Sequence, residues 1–83
     1  MTHRLVFTER AARDIAGLDR TTKERIGRAL RRLETEPRSK SRQLTQSTLG
    51  TYRYRVGDFR VIFDIEGDEV VILRVGHRSV IYR

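Results

Sequence analysis

The sequence predicts a small α+β domain in which two helices pack on an antiparallel sheet, with the elements in the order β-α-α-β-β-β. Three observations support this fold class: a short apolar segment opens the chain, two segments with apolar residues at helical spacing follow it, and the second half alternates polar and apolar residues between glycine-containing turns. With 83 residues, 37% of them hydrophobic, the chain is expected to form one domain over residues 1–83 with one core.

The first part of the chain predicts a strand and then a capped helix. Residues 3–7 read as the strand. Thr8 precedes a helical pattern, and its hydroxyl can accept a hydrogen bond from a backbone N–H of the first turn. Gly17 is expected to end this helix.

A second helix is predicted to begin within residues 19–22 and to end before Pro37. Thr21 and Glu24 have the spacing of a capping box. The arginines of this helix are expected on its solvated side, where they also suit contacts with an RNA backbone: Arg25, Arg28, Arg31 and Arg32. One apolar stripe should face the sheet, formed by Ile26, Ala29, Leu30 and Leu33.

The segment from residue 37 to residue 50 is polar and is predicted to be a solvated basic loop. Three strands are predicted after it, at residues 52–56, 59–65 and 69–75, with turns at residues 57–58 and 66–68. They are expected to form an antiparallel meander. The tail over residues 77–83 is too short to assign.

Arginines alternate with apolar residues in the first two strands of this meander. Arg53 and Arg55 should share one face, and antiparallel pairing across the turn places Arg60 beside them. Like charges on neighbouring strands cost up to about 1 kcal/mol per pair, which suggests that a bound anion offsets the cost. Two alternatives stay open: edge charges that prevent aggregation, and an ion pair between Arg60 and Asp64.

The charge and residue content of the chain indicate which kinds of partner it can bind and where it acts. Eighteen Lys and Arg against eleven Asp and Glu give a net charge of +7 and a pI near 11.0, which favours nucleic acid or an acidic protein as partner, with solubility as the simpler explanation. The chain has no cysteine, which removes disulfides and thiol chemistry and suits the cytoplasm. No apolar run is long enough to predict a membrane contact.

The residue types exclude several kinds of chemistry. There is no glycine-rich phosphate loop, and two histidines, His3 and His77, with scattered acids do not predict a metal site or a cofactor. The remaining candidates lie in the second half: Arg53, Arg55, Arg60, His77, Arg78, Tyr82 and Arg83. This set lacks a nucleophile, so it suits a substrate that supplies one, such as RNA with its 2′-hydroxyl.

The segments TYRYRVGDFRVIF at residues 51–63 and VVILRVGHRSVIYR at residues 70–83, after a strand and two helices, resemble the RelE/ParE superfamily of type II toxin–antitoxin toxins, and RelE most of all. The resemblance covers essentially the whole chain and implies the RelE-like fold. RelE-type toxins cleave mRNA in the ribosomal A site without a metal, by attack of a 2′-hydroxyl on the adjacent phosphate.

The resemblance also implies residue roles. Arg53 and Arg55 stand where RelE has a pair of lysines. Arg60 and Arg78 match arginines that hold the scissile phosphate, and Tyr82 matches a tyrosine assigned as general base. Further RNA contacts are expected from the basic residues Arg53, Arg83, Arg38, Lys40 and Arg42.

One departure concerns the acid that protonates the leaving oxygen, because RelE has a lysine where this chain has Arg55, and arginine is a very poor proton donor. Either Arg55 acts by charge alone or His77 supplies the proton, and the residue types favour His77, since histidine can donate a proton near neutral pH. The implied partners are an acidic, RelB-like antitoxin, mRNA and ribosomal RNA. The alternatives are a ParE-like inhibitor of DNA gyrase with the same fold, and a nucleic-acid-binding module without toxicity.

Overall fold

The strands and helices follow the predicted order, with one short strand added. The computed structural model describes residues 2–38, 41–43 and 52–81. Its elements are β1 (Arg4–Phe7), α1 (Glu9–Ala16), α2 (Arg20–Thr35), β2 (Arg42–Gln43), β3 (Tyr52–Val56), β4 (Phe59–Glu66) and β5 (Glu69–His77). The strands form one sheet in the order β1-β5-β4-β3-β2. The predicted fold class of two helices on a sheet is confirmed.

Two features of the sheet differ from the prediction. The sheet is mixed, because β1 pairs with β5 in parallel whereas the other neighbours are antiparallel. Parallel pairing needs a long crossover connection, and here the chain between the two strands includes both helices. The second feature is β2, which lies in the predicted loop and is only two residues long, too short to show a strand period.

The helix caps confirm one prediction and correct another. The Thr8 hydroxyl accepts from the Ala11 N–H at 3.1 Å, as predicted. The capping box at Thr21 and Glu24 is wrong, because Asp19 is the N-cap and its carboxylate accepts from the Thr22 N–H at 3.0 Å. An aspartate at this position already satisfies a first-turn donor, so the helix begins two residues before the position that the capping box would set.

Hydrogen bonds from the side chain and then the backbone N–H of Thr22 lower the pKa of Asp19 below its ordinary value. A carboxyl whose pKa is depressed by folding stabilises the protein above its unfolded pKa and loses that contribution as the pH falls through the folded pKa. We therefore expect Asp19→Ala to lower the thermal unfolding midpoint at pH 7, and the difference from wild type to shrink as the pH falls below the folded pKa. A difference that stays constant down to pH 2 would assign the effect to helix propensity rather than to the carboxylate.

The core lies between the helices and one face of the sheet, which we call the helix-side face. The predicted stripe of α2 is buried, and it packs with apolar residues of β3, β4 and β5. The largest of these sheet residues are Tyr54, Phe63 and Ile72. We call the opposite face of the sheet the outer face.

One ion pair fixes α1 against the end of β5. The register of β4 with β5 shifts between Ile62 and Phe63. Just beyond that shift the Asp14 carboxylate accepts from Arg74 Nε at 2.9 Å and from the Val75 N–H at 3.0 Å. The carboxylate thus satisfies a backbone donor beyond the last residue of β5 that pairs with β1, so β5 is held in place as far as the candidate site.

Candidate functional site

The turn between β3 and β4 brings the predicted arginines together. Gly57 has φ of +59°, a left-handed conformation that suits glycine, and with Asp58 it forms the two residues between the strands. The resulting register places Arg55 opposite Arg60, and Arg60 opposite Gly76 of β5. Directly paired residues on neighbouring strands point to the same face, so Arg55 and Arg60 share the outer face, as predicted.

Arg60 is the buried member of the set. It is 8% exposed, and its Nη1 donates to the carbonyl oxygens of Gly57 and Phe59, each at 2.8 Å. The guanidinium therefore fastens the β3–β4 turn, a structural role that the sequence did not indicate. The alternative of an ion pair between Arg60 and Asp64 does not describe these contacts, because both acceptors are carbonyl oxygens of the turn. Asp64 lies four residues further along β4, which is about 13 Å from Arg60 at 3.3 Å per residue.

Arg78 follows the end of β5 and reaches the same turn. Its N–H donates to the Asp58 carbonyl at 2.8 Å, and its Nε lies 3.7 Å from the Asp58 carboxylate. Both side chains are exposed, Arg78 by 61% and Asp58 by 65%. The backbone of Arg78 is thus fixed while its guanidinium stays open to solvent. We call Arg55, Arg60 and Arg78 the arginine cluster.

The outer face carries further arginines beyond the turn. Arg53 lies two residues before Arg55, and Arg42 of β2 pairs directly with Arg53. The predicted alternation of β3 is confirmed, because Tyr52 and Tyr54 point to the helix-side face and pack with the core. The sheet therefore carries Arg–Arg pairs at two registers, Arg42 with Arg53 and Arg55 with Arg60.

His77 lies apart from this arrangement. It pairs with Phe59, whose ring it meets edge-on at a centroid distance of 5.4 Å, so its side chain belongs to the helix-side face. Its Nδ1 accepts from the Ser79 N–H at 3.1 Å and lies 2.8 Å from Ser79 Oγ. Because Nδ1 is an acceptor, the proton of the neutral ring is on Nε2.

The other residues predicted to contact RNA or take part in cleavage lie away from the arginine cluster or outside the described residues. Arg38 sits over the ring of Tyr52, 5.9 Å from its centroid. Ile81 is fully buried and packs over Gly76, so the last described residue of the tail lies on the outer face beside the cluster. Three predicted site residues fall outside the described residues: Lys40, Tyr82 and Arg83.

A second group of arginines surrounds an open cleft of about 290 Å³ between α2 and β3. We call it the helix-side cleft, and its arginines are Arg25, Arg28, Arg32 and Arg55. The sequence indicated that the helical arginines are solvated, and they are exposed. What it did not indicate is that three of them share a groove with Arg55, although their spacing of three and four residues places them on one helix side.

Residues 2–38, 41–43 and 52–81 lack two features that would imply a membrane or a metal ion. None of the helices in these ranges is long and apolar enough to cross a membrane. The same ranges hold no group of three His, Asp or Glu side chains arranged to bind a metal ion.

The chain matches known proteins over almost its whole length. The family model described as ParE toxin of type II toxin-antitoxin system, parDE, matches residues 5–82. The chain belongs to this toxin family. It is also 35% identical over 86 residues to Toxin RelG of Mycobacterium tuberculosis (strain ATCC 25618 / H37Rv), an alignment that covers 100% of this chain and 99% of that protein.

One solved structure supports the same assignment, and a second shows the same fold. The chain is similar to one in the crystal structure of the toxin–antitoxin complex RelBE2 from Mycobacterium tuberculosis, with a TM-score of 0.84, 31% identity, and coverage of 94% of this chain and 100% of that one. It shares the fold of a chain in the chromosomal ParDE system of P. aeruginosa, at a TM-score of 0.74 and 16% identity over 92% of this chain and 96% of that one. The protein is therefore a type II toxin of the RelE/ParE superfamily.

Proposed function

We propose that this toxin is a ribosome-dependent mRNA endoribonuclease that cleaves in the A site by attack of a 2′-hydroxyl on the adjacent phosphate. The observation that carries the proposal is the arginine cluster, which gathers Arg55, Arg60 and Arg78 from three parts of the chain at one turn. Preplaced guanidinium groups stabilise the negative charge that develops on phosphoryl oxygens in the transition state. The 35% identity to Toxin RelG over the whole chain supports the assignment as a toxin, on which the proposal rests.

The proposed reaction needs a base, a charge-stabilising group and a proton for the leaving oxygen. Tyr82, in the phenolate form that neighbouring arginines favour, takes the proton of the 2′-hydroxyl. The 2′-oxygen then forms a bond to phosphorus while the bond from phosphorus to the 5′-oxygen breaks. Arg60 and Arg78 hold the phosphate through this step, and Arg53 and Arg83 bind the strand beside it, with further contacts from Arg38, Lys40 and Arg42. The products are a cyclic phosphate and a free 5′-hydroxyl, and no metal or cofactor takes part.

We assign stabilisation of the leaving 5′-oxygen to Arg55 rather than to His77, the residue that the sequence favoured. Arg55 lies directly opposite Arg60 on the outer face, whereas His77 pairs with Phe59 on the helix-side face. His77 would also have to carry a second proton on Nδ1 to act as an acid through Nε2, and Nδ1 faces the Ser79 N–H. Arg55 then stabilises the leaving oxygen by charge, and solvent supplies the proton.

We further propose an acidic antitoxin as partner. The similar chain from Mycobacterium tuberculosis was solved in a toxin–antitoxin complex. A net charge of +7, with two Arg–Arg pairs on the outer face, gives an acidic segment a complementary surface. Because its proposed target is the ribosome, the toxin would act in the cytoplasm.

The second candidate is inhibition of DNA gyrase without nuclease activity. One observation favours it: the matching family is described as ParE toxin of the parDE system. We rank it second because a binder has no need for the basic and aromatic residues that this chain retains after β5, Arg78 and Tyr82.

The nucleophile can be tested directly. We expect the protein to cut a defined mRNA on 70S ribosomes, and a 2′-O-methyl group on the nucleotide immediately 5′ of the cut to abolish cleavage at that position, because the methyl group blocks the attacking oxygen. Tyr82→Phe should slow the unmodified reaction about 10²–10⁴-fold, the usual contribution of a general base. Cleavage that persists at the methylated nucleotide would mean that water, not the 2′-hydroxyl, attacks the phosphate.

A further inference from the structure

Specific contacts hold two of the arginine side chains that line the helix-side cleft. Arg25 lies against the β3–β4 turn, where a Cβ at Gly57 would overlap its guanidinium. Arg32 Nη1 lies 3.4 Å from the hydroxyl of Tyr54, which is 5% exposed and therefore fixed in the core. Two of the four guanidinium groups are thus placed by a glycine turn and by a buried tyrosine.

The charge of this cleft is not balanced within the described part of the chain. The lining residues found there include no Asp or Glu, and none of the ion pairs among residues 2–38, 41–43 and 52–81 involves Arg25, Arg28, Arg32 or Arg55. Four cations around one groove repel one another, and a bound anion relieves that repulsion.

We infer that the helix-side cleft binds the phosphodiester backbone of a single nucleic-acid strand, as a second phosphate site on the other side of the sheet from Arg60. The three arginines of α2 extend over about 10 Å of the helix axis, because Arg25 and Arg32 are seven steps of 1.5 Å apart. A row of cations of this length can contact the negatively charged backbone of one strand without reading its bases.

A phosphodiester fits the cleft better than an acidic peptide does. Protein partners bind through apolar or aromatic anchors that fill a desolvated pocket. Here the only aliphatic lining residues described are Ala29, which is buried, and Val56, and the aromatic one, Tyr54, is buried. Among the described lining residues no aromatic face is open for a base to stack on, so the contacts should be independent of base sequence.

Arg55 connects this cleft with the arginine cluster. Its strand position assigns it to the outer face beside Arg60, and its exposed side chain also lines the helix-side cleft. The described pairing of β2 with β3 ends at Arg53, two residues before Arg55. A nucleic-acid strand can therefore pass from the arginine cluster to the helix-side cleft along Arg55. The inference concerns binding and does not depend on the cleavage activity.

The test is fluorescence anisotropy with labelled 12-nucleotide single strands, one of DNA and one of 2′-O-methyl RNA, which the proposed reaction cannot cut. We expect Arg28→Gln to weaken binding of both strands about fivefold to tenfold near 0.1 M salt, and to reduce the slope of log affinity against log salt by about 0.7. Arg25→Gln with Arg28→Gln should reduce the slope about twice as much. Arg13→Gln, which removes an exposed arginine of α1, is the matched control and should change the slope little.

Three outcomes would overturn the inference. An equal loss in Arg13→Gln would assign the effect to net charge alone. A loss with only one of the two strands would assign the contacts to the sugar rather than to phosphate. Unchanged nucleic-acid binding, with weakened binding of a labelled oligoglutamate, would make the cleft a site for an acidic peptide. Circular dichroism and unfolding midpoints equal to wild type ensure that each variant is folded when it is measured.

Discussion

Replacing Arg78 with alanine should lower the rate of mRNA cleavage on ribosomes about 10²–10³-fold, the usual effect of removing one charge-stabilising donor from a transition state. Stability should change by no more than about 0.5 kcal/mol, because the Arg78 side chain is exposed and an exposed ion pair with Asp58 contributes little. Rates on programmed ribosomes, with urea unfolding of the same preparations, measure both quantities.

Two companion variants sharpen this result. Arg78→Lys keeps the charge but loses the planar fork, so it should retain part of the activity. Arg13→Ala removes an exposed arginine far along the chain from the cluster and should leave the rate near wild type. If Arg78→Ala instead unfolded the protein while the remaining folded fraction cleaved normally, Arg78 would be a structural residue that holds the β3–β4 turn.

Arg60→Ala should lose both cleavage and stability. Its guanidinium is buried and donates twice to the turn carbonyls, so truncation leaves two acceptors without this donor and creates a space beside them. We expect a loss of about 2–3 kcal/mol in the free energy of unfolding. Under conditions in which Arg60→Ala is still folded, its cleavage rate should fall about as far as that of Arg78→Ala.

Arg55→Ala is the matched control, because Arg55 lies directly opposite Arg60 but is exposed. It should lose cleavage with little change in stability. Wild-type stability in Arg60→Ala would show that the carbonyl contacts do not hold the turn. Wild-type cleavage by folded Arg60→Ala would remove this residue from the proposed site.

The sequence predicted most of the fold because its local signals agree with one another. Thr8, the stripe of α2 and the alternation of β3 and β4 all specify elements that also bury the same core. Parallel pairing of β1 with β5 was missed, since a strand pattern contains no information about the direction of its neighbour. Strand β2 was missed because two residues carry no period.

The site was predicted less completely than the fold, because a sequence pattern does not specify where a long side chain points. Register follows from alternation, so the pairing of Arg55 with Arg60 could be predicted. The return of the Arg60 guanidinium to the turn carbonyls and the reach of Arg55 into the helix-side cleft depend on rotamers of long side chains, which no sequence pattern specifies. The same applies to the Ser79 contact that orients His77.

The central claim, cleavage of mRNA on the ribosome, is tested most directly by one comparison. A defined mRNA is incubated with the wild-type protein on programmed 70S ribosomes and free in solution, and supercoiling by DNA gyrase is measured at the same protein concentration. We predict cuts at the A-site codon of ribosome-bound mRNA, intact free mRNA and active gyrase. Intact mRNA in both states together with inhibited gyrase would contradict the claim and assign the arginine cluster to binding rather than to cleavage.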